Sequence, residues 1–177
     1  RPLDLTKMKT ALIINRPQEP KSPFPYVSED VIFKNEKANL NLGGTLTLPD
    51  SNGPFPAVIL ITGSGSQNRN EELMGHKPFL LIADDLTRHG IAVFRYDDRG
   101  VGQSQLGPAE ANSADFATDA EAALNYLKTR PKINPQKIGL AGHSEGGLIA
   151  PICASTNHDV AFIVSLAGTG VRGEEIL

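Results

Sequence analysis

Four short, continuous runs of apolar residues constrain the fold of this chain more than any other feature. They are PFPAVILITG (54–63), IAVFRYDD (91–98), KIGLAG (137–142) and VAFIVSLAG (160–168). Unbroken apolar runs of this length are typical of strands buried on both faces of a parallel sheet. Because segments with helical apolar spacing separate them, the order predicts right-handed crossovers and a parallel sheet covered by helices.

Three helices are predicted between these strands. They cover residues 77–90, 113–130 and 145–156. Pro78 lies in the first turn of the first helix, and Gly90 is expected to cap its C-terminus. Ser113 is the expected N-cap of the second helix.

Two earlier segments, residues 27–35 and 38–49, alternate polar and apolar positions as half-buried antiparallel strands do. Residues 1–26 differ, since RPQEPKSPFPY has too many prolines for a helix or strand. Both an extended linker and a loop wrapped on the domain surface fit this segment. We therefore divide the chain into an N-terminal segment, 1–26, and an α/β domain, 27–177.

The bulk composition narrows the function classes. The 177 residues suffice for one domain with a sizeable core. A net charge of −3 and a pI near 5.8 argue against nucleic acid as a partner, and no apolar run approaches the ~20 residues of a membrane span. The lone cysteine, Cys153, excludes an internal disulfide and a cysteine-rich zinc site. No cofactor or metal is implied, and with no signal-peptide pattern in this chain the compartment stays open, including export of the parent protein.

The strongest catalytic signal is Ser144, in the pattern G-x-S-x-G between a predicted strand and a predicted helix. A sharp strand–turn–helix needs small neighbours, which Gly142, Gly146 and Gly147 supply. We predict that Ser144 is a nucleophile; the alternative is a glycine-rich turn that only allows close packing. His143 is expected to pack beside the turn, because a general base approaches from a separate loop.

The loop TGSGSQNRNEE follows the first apolar strand and could complete an oxyanion hole. Its small residues let the backbone approach a ligand closely. We predict the donors to be the backbone N–H groups of Glu145 and Ser64, with Gly65 in place of Ser64 as the fallback. The alternative is a flexible connecting loop.

A dinucleotide-binding turn is a second interpretation of the same glycines, with Asp97 as the ribose-binding acid. Two details oppose it. Asn68 replaces the third glycine of G-x-G-x-x-G, and the next helix is predicted to begin only near Pro78.

Several stretches together carry a family resemblance. They are GTLTLP, PFPAVILITGSGSQNRNE, FRYDDRGVGQS and GLAGHSEGG followed by VAFIVSLAGTG. From about Val27 onward the chain resembles the α/β-hydrolase superfamily, in its esterase, dienelactone-hydrolase-like and acylaminoacyl-peptidase-like branch. The resemblance implies a mostly parallel eight-stranded sheet with helices on both faces and one antiparallel strand near its start. It also implies the roles given above for Ser144, Glu145 and Ser64, and an additional N-terminal domain whose tail would be residues 1–15.

Asp97, Asp98 and Arg99 form a charge cluster at a strand end. Either aspartate could serve as a triad acid. In the α/β-hydrolase order, however, the acid follows the serine along the chain. We therefore predict an Asp–Arg network that ties this loop to its neighbours.

The chain also departs from the family pattern in the positions of its histidines. The chain has four histidines, His76, His89, His143 and His158. None of them lies at the position where the family carries its general base. Two further strand–helix units would need at least ~50 more residues. We therefore expect the fold to be truncated after the sixth strand, as an inactive fragment whose exposed VAFIVSL edge favours self-association.

For the parent protein, these observations predict hydrolysis of a small-molecule carboxylic ester or related acyl compound through an acyl-enzyme on Ser144. A serine peptidase of the acylaminoacyl-peptidase type is one alternative. A non-catalytic binding module with the same fold is the other.

Overall fold

A computed structural model describes residues 16–171 and Glu175. Its elements alternate as the apolar runs predict. The strands are β1 (Tyr26–Asn35), β2 (Leu40–Pro49), β3 (Phe55–Ile61), β4 (Ala92–Tyr96), β5 (Ile133–His143) and β6 (Ile163–Leu166). The helices are α1 (Pro78–Arg88), α2 (Ser113–Lys128) and α3 (Gly146–Thr156).

The six strands form one sheet in the order β1-β2-β4-β3-β5-β6. β2 is antiparallel to both of its neighbours, and the pairs from β4 to β6 are parallel. The predicted α/β fold with an antiparallel start is thus confirmed. The chain leaves β3 toward β4 on one side and leaves β5 toward β6 on the other. This reversal places a crevice between the carboxyl ends of β3 and β5, where open α/β sheets bind ligands.

Two apolar cores lie on opposite faces of the sheet. Phe79 and Ala83 of α1 pack on Val58, Leu60 and Val93. The larger core lies between the other face and helices α2 and α3. The helices therefore cover both faces, as an α/β architecture requires.

The prediction that β2 is half-buried was wrong. Its residues alternate, but both faces are buried because the strand lies inside the sheet. Leu46 packs in the larger core, while Thr47 faces α1, where its hydroxyl lies 2.7 Å from that of Thr87. The polar face is therefore satisfied by a helix rather than by solvent.

The prediction that β6 is buried was also wrong. Its side chains are largely exposed, with Ile163 at 42% and Val164 at 41%. β6 is the edge strand of the described sheet and pairs only with β5. This exposure agrees with the expectation that the fold is truncated after the sixth strand, which leaves β6 at an open edge of the described sheet.

The N-cap of α2 is Asn112 rather than Ser113. The Asn112 side chain accepts from the Ala114 N–H at 2.9 Å, and Asp115 accepts from the Asn112 N–H. Both residue types cap helices, and the extended backbone at Asn112 decides between them. Ser113 instead donates a hydrogen bond to the Glu145 carboxylate at 2.7 Å, which ties α2 to the start of α3.

The segment before β1 contacts the body of the domain. The Arg16 guanidinium donates to the Met74 carbonyl at 2.8 Å, and Lys77 pairs with Glu19 at 3.4 Å. The proposed domain tail, residues 1–15, lies outside the described residues, and the division at residue 26 stays a prediction. No helix in 16–171 has both the length and the apolarity needed to cross a bilayer.

Candidate active site

Ser144 lies at a sharp reversal between the end of β5 and the start of α3. Its φ of +51° falls in the left-handed region, which residues other than glycine rarely adopt. The Ser144 N–H donates to the Leu166 carbonyl at 2.9 Å, so β6 supports the turn. Backbone strain of this kind is concentrated at functional sites.

The glycines around Ser144 are required by close contacts. A Cβ at Gly142 would lie 1.9 Å from the Gly146 oxygen, and one at Gly146 would lie 2.2 Å from the Ile61 oxygen. At Gly147, it would lie 2.7 Å from a backbone carbon of Gly168. Only glycine fits these positions, because β5, α3 and the end of β3 meet there backbone to backbone.

The loop after β3 lies directly against the serine. A Cβ placed on Gly63 would come within 3.2 Å of the Ser144 Cβ. The Gly63 N–H is already used, since it donates to the Glu71 carboxylate at 2.8 Å. Ser64 and Gly65 follow on the exposed side of the loop, and Gly65 has a φ of +94°. The structure thus brings together the two segments predicted to form one site.

A small cavity of about 80 Å³ lies beside this junction. Gly65 and Glu145, two of the three predicted oxyanion donors, both line it. Phe116 and Ile149 contribute apolar walls, and Asp98 contributes a carboxylate. Ser144 and Ser64 do not line the cavity, so it adjoins the turn without enclosing the serine side chain.

Asp97 is paired with Arg69 rather than with Arg99. Its carboxylate receives two hydrogen bonds from the Arg69 guanidinium, at 2.6 and 3.1 Å, and a third from the Arg69 backbone N–H. Burial alone would raise the pKa of Asp97. The hydrogen bonds from Arg69 and from the Gln103 backbone outweigh that effect and hold the pKa below its ordinary value. Asp97 therefore anchors the loop after β3.

Asp98 holds the same loop at a second point. Its carboxylate accepts from the Thr62 hydroxyl at 2.7 Å and from the Gln67 N–H at 2.8 Å. Burial raises the pKa of Asp98 to about 6. The remaining member of the cluster, Arg99, pairs with Asp119 of α2 at 2.7 Å. All three charged groups thus hold loops in place.

None of the described histidines contacts the Ser144 hydroxyl. His76, His89 and His158 are exposed, and none of them forms a hydrogen bond with Ser144. His143 is directed to the Glu71 carboxylate, with 2.8 Å between Nδ1 and Oε1. Within residues 16–171, no three His, Cys, Asp or Glu side chains are grouped closely enough to hold a metal ion.

Sequence reasoning missed Glu71. The side chain is buried and accepts from both Gly63 and His143. The only signal available was an acidic pair at the end of a glycine-rich loop, and nothing in the sequence separated Glu71 from the exposed Glu72.

Comparison with known proteins assigns the chain to a family. Residues 77–175 match the family described as serine aminopeptidase, S33, a match that includes the turn at Ser144 and α3. The chain belongs to the serine aminopeptidase S33 family, within the α/β-hydrolase superfamily.

Relatives of this S33 family chain include proteins named as hydrolases. Esterase EstD of Thermotoga maritima is 32% identical over 120 residues, which cover 67% of this chain and 29% of EstD. A putative carboxymethylenebutenolidase of Synechocystis is 29% identical over 139 residues, covering 75% of this chain and 56% of that protein. The crystal structure of the α/β hydrolase GrgF from Penicillium superposes with a TM-score of 0.70 at 26% identity, covering 80% of this chain and 46% of GrgF. The chain therefore spans about a third to just over half of these proteins.

Proposed function

We propose that the protein containing this chain is a serine hydrolase that cleaves carboxylic esters or related acyl compounds through an acyl-enzyme on Ser144. The observation that carries the proposal is the left-handed turn at Ser144, packed against Gly63 of the neighbouring loop. In the proposed arrangement, the Ser144 hydroxyl lies at the crevice between β3 and β5, beside backbone N–H groups. Esterases among the relatives support ester hydrolysis as the reaction class.

The oxyanion would be bound by the N–H groups of Glu145 and Ser64, with Gly65 as the alternative to Ser64. Glu145 lies at the N-terminus of α3, where unpaired N–H groups and the helix dipole favour negative charge. Because Glu71 already occupies the Gly63 N–H, the donor on the other side must come from Ser64 or Gly65. Two such donors typically lower the barrier for acyl transfer by several kcal/mol.

We further propose that the general base and its acid come from residues that follow Leu177 in the complete protein. Two observations support this. No described histidine forms a hydrogen bond with the Ser144 hydroxyl, and the chain spans only part of each relative. A serine hydroxyl without a base is a weak nucleophile, so the 177-residue chain alone is expected to be inactive.

A peptidase is the second candidate, favoured by the description of the matching family. The test compares Ser144-dependent hydrolysis of p-nitrophenyl acyl esters and of aminoacyl p-nitroanilides by the complete protein. Faster turnover of the esters supports the esterase proposal, and faster turnover of the anilides supports the peptidase. If the folded, complete protein hydrolyses neither, a binding module is favoured. Robust Ser144-dependent turnover by the 177-residue chain alone would refute the placement of the base beyond Leu177.

A further inference from the structure

Glu71 is a buried residue beside the candidate site that has no role in the reaction proposed above. It lies in the loop after β3, and only 7% of its surface is exposed. Its backbone is in the left-handed region, with φ at +50°, and its N–H donates to the Asn68 carbonyl at 2.7 Å. A buried carboxylate held in a strained backbone conformation requires an explanation.

The Glu71 carboxylate joins the two segments of the candidate site through one oxygen. Oε1 accepts from the Gly63 N–H at 2.8 Å and from His143 Nδ1 at 2.8 Å. Because a carboxylate can only accept, the second contact places a proton on His143 Nδ1, an assignment made from the hydrogen bond itself. Gly63 follows β3 closely, while His143 ends β5 directly before Ser144.

The groups around this oxygen are closely packed. A Cβ at Gly63 would lie 3.3 Å from the Glu71 oxygen, 3.3 Å from His143 Nδ1 and 3.2 Å from the Ser144 Cβ. A change in the length of the Glu71 side chain would therefore move the loop relative to the serine. The next residues of that loop carry the proposed donors, Ser64 and Gly65.

We propose that Glu71 is a positioning residue for acyl transfer, and this rests on the function proposed above. By holding Gly63 and His143 on one oxygen, Glu71 sets the distance between the oxyanion donors of the loop and the hydroxyl of Ser144. The interaction matters most when the tetrahedral intermediate forms, because the donors must then match the oxyanion position. The expected consequence is a loss in kcat with little change in KM.

The chain offers matched variants for the test in the complete protein. Glu71→Gln keeps an acceptor oxygen at the same reach, whereas Glu71→Asp keeps the charge but shortens the side chain. We expect Glu71→Ala and Glu71→Asp to lower kcat by about 10- to 100-fold with KM within about threefold, since one oxyanion donor is worth about 100-fold or more. Glu71→Gln should stay within about threefold of wild type. The control is Glu72→Ala, which removes an exposed neighbouring carboxylate and should leave kcat unchanged.

Two further readouts separate positioning from folding. The inhibition constant of a boronic acid, which forms a tetrahedral adduct on serine, should rise by the same factor as kcat/KM falls. The melting temperature is measured for every variant, and Glu71→Asp replaces Glu71→Ala if the alanine variant does not fold. Wild-type kcat in Glu71→Asp, or an equal loss in Glu71→Gln and Glu71→Asp, overturns the proposal. Absence of Ser144-dependent turnover in the wild type would instead refute the proposed function itself.

Discussion

Arg69 and Asp97 form a buried, two-pronged ion pair that holds the loop after β3 against the end of β4. The Arg69 nitrogens lie 2.6 and 3.1 Å from the Asp97 oxygens, and the two side chains are 13% and 4% exposed. Planar pairing of this kind is the strongest arrangement available to arginine. Removing one partner would leave a charge in a poorly hydrated environment.

Asp97→Ala should therefore lower the free energy of unfolding by about 3 kcal/mol, the size expected when a buried pair loses one member. Urea denaturation followed by circular dichroism measures this change. The control is Glu36→Ala, which breaks the ion pair between Glu36 and Lys34. The Glu36 side chain is 75% exposed and the Lys34 side chain is 47% exposed. Exposed pairs contribute little, so the control should change stability by less than about 1 kcal/mol. Similar losses in the two variants would contradict the role assigned to Asp97.

The raised pKa of Asp98 predicts a pH-dependent stability. Burial raises its pKa from 3.8 to about 6, so the folded state favours the protonated carboxyl. The stability that this group contributes is fully present below pH 4 and is lost as the pH rises through about 6. Relative to Asp98→Asn, wild type should lose about 2 kcal/mol of unfolding free energy between pH 4 and pH 7. A free energy of unfolding of wild type that, relative to Asp98→Asn, stays constant or rises between pH 4 and pH 7 would contradict the raised pKa of Asp98.

The glycines of the turn should tolerate no side chain. Gly142→Ala places a Cβ 1.9 Å from the Gly146 oxygen, and backbone cannot move aside as a flexible side chain can. We expect a loss of at least about 3 kcal/mol in the free energy of unfolding, or no folded protein. Gly170→Ala is the control, because a Cβ at Gly170 meets no atom of the described residues within 4 Å. Thermal unfolding of both variants decides the matter; a melting temperature of Gly142→Ala equal to wild type would refute the geometry of the turn.

The exposed edge at β6 leads us to expect that the 177-residue chain associates with itself. Phe162, Ile163 and Val164 are each more than 40% exposed, on or beside a strand that is paired along one edge only within residues 16–171. Sedimentation velocity should show larger species as the concentration rises. Val164→Lys should reduce them, because charge on an edge opposes strand pairing. Leu106→Lys changes an apolar residue that is 82% exposed in a loop and should have no such effect. Equal effects of the two variants would show that β6 is not the contact.

The features of the fold that could be predicted from the sequence are those that depend on residues close together in the chain. The turn at Ser144 needs glycines at nearby positions, and the sequence shows them together. The contact between Glu71 and His143 joins residues 72 positions apart, so no local pattern could reveal it. The burial of Thr47 likewise depends on Thr87 of α1, a partner that alternation along one strand cannot indicate. Local sequence patterns indicate the helices, strands and turns, whereas the contacts between distant side chains depend on how these elements pack.

The central claim is that Ser144 is the nucleophile, and labelling with a fluorophosphonate tests it most directly. The complete protein is incubated with the probe, digested and mapped by mass spectrometry, with Ser144→Ala and Ser113→Ala as the variant and its control. We predict one adduct, on Ser144, that persists in Ser113→Ala and disappears in Ser144→Ala. A folded, complete protein that remains unlabelled, or one whose labelling survives in Ser144→Ala, would contradict the account.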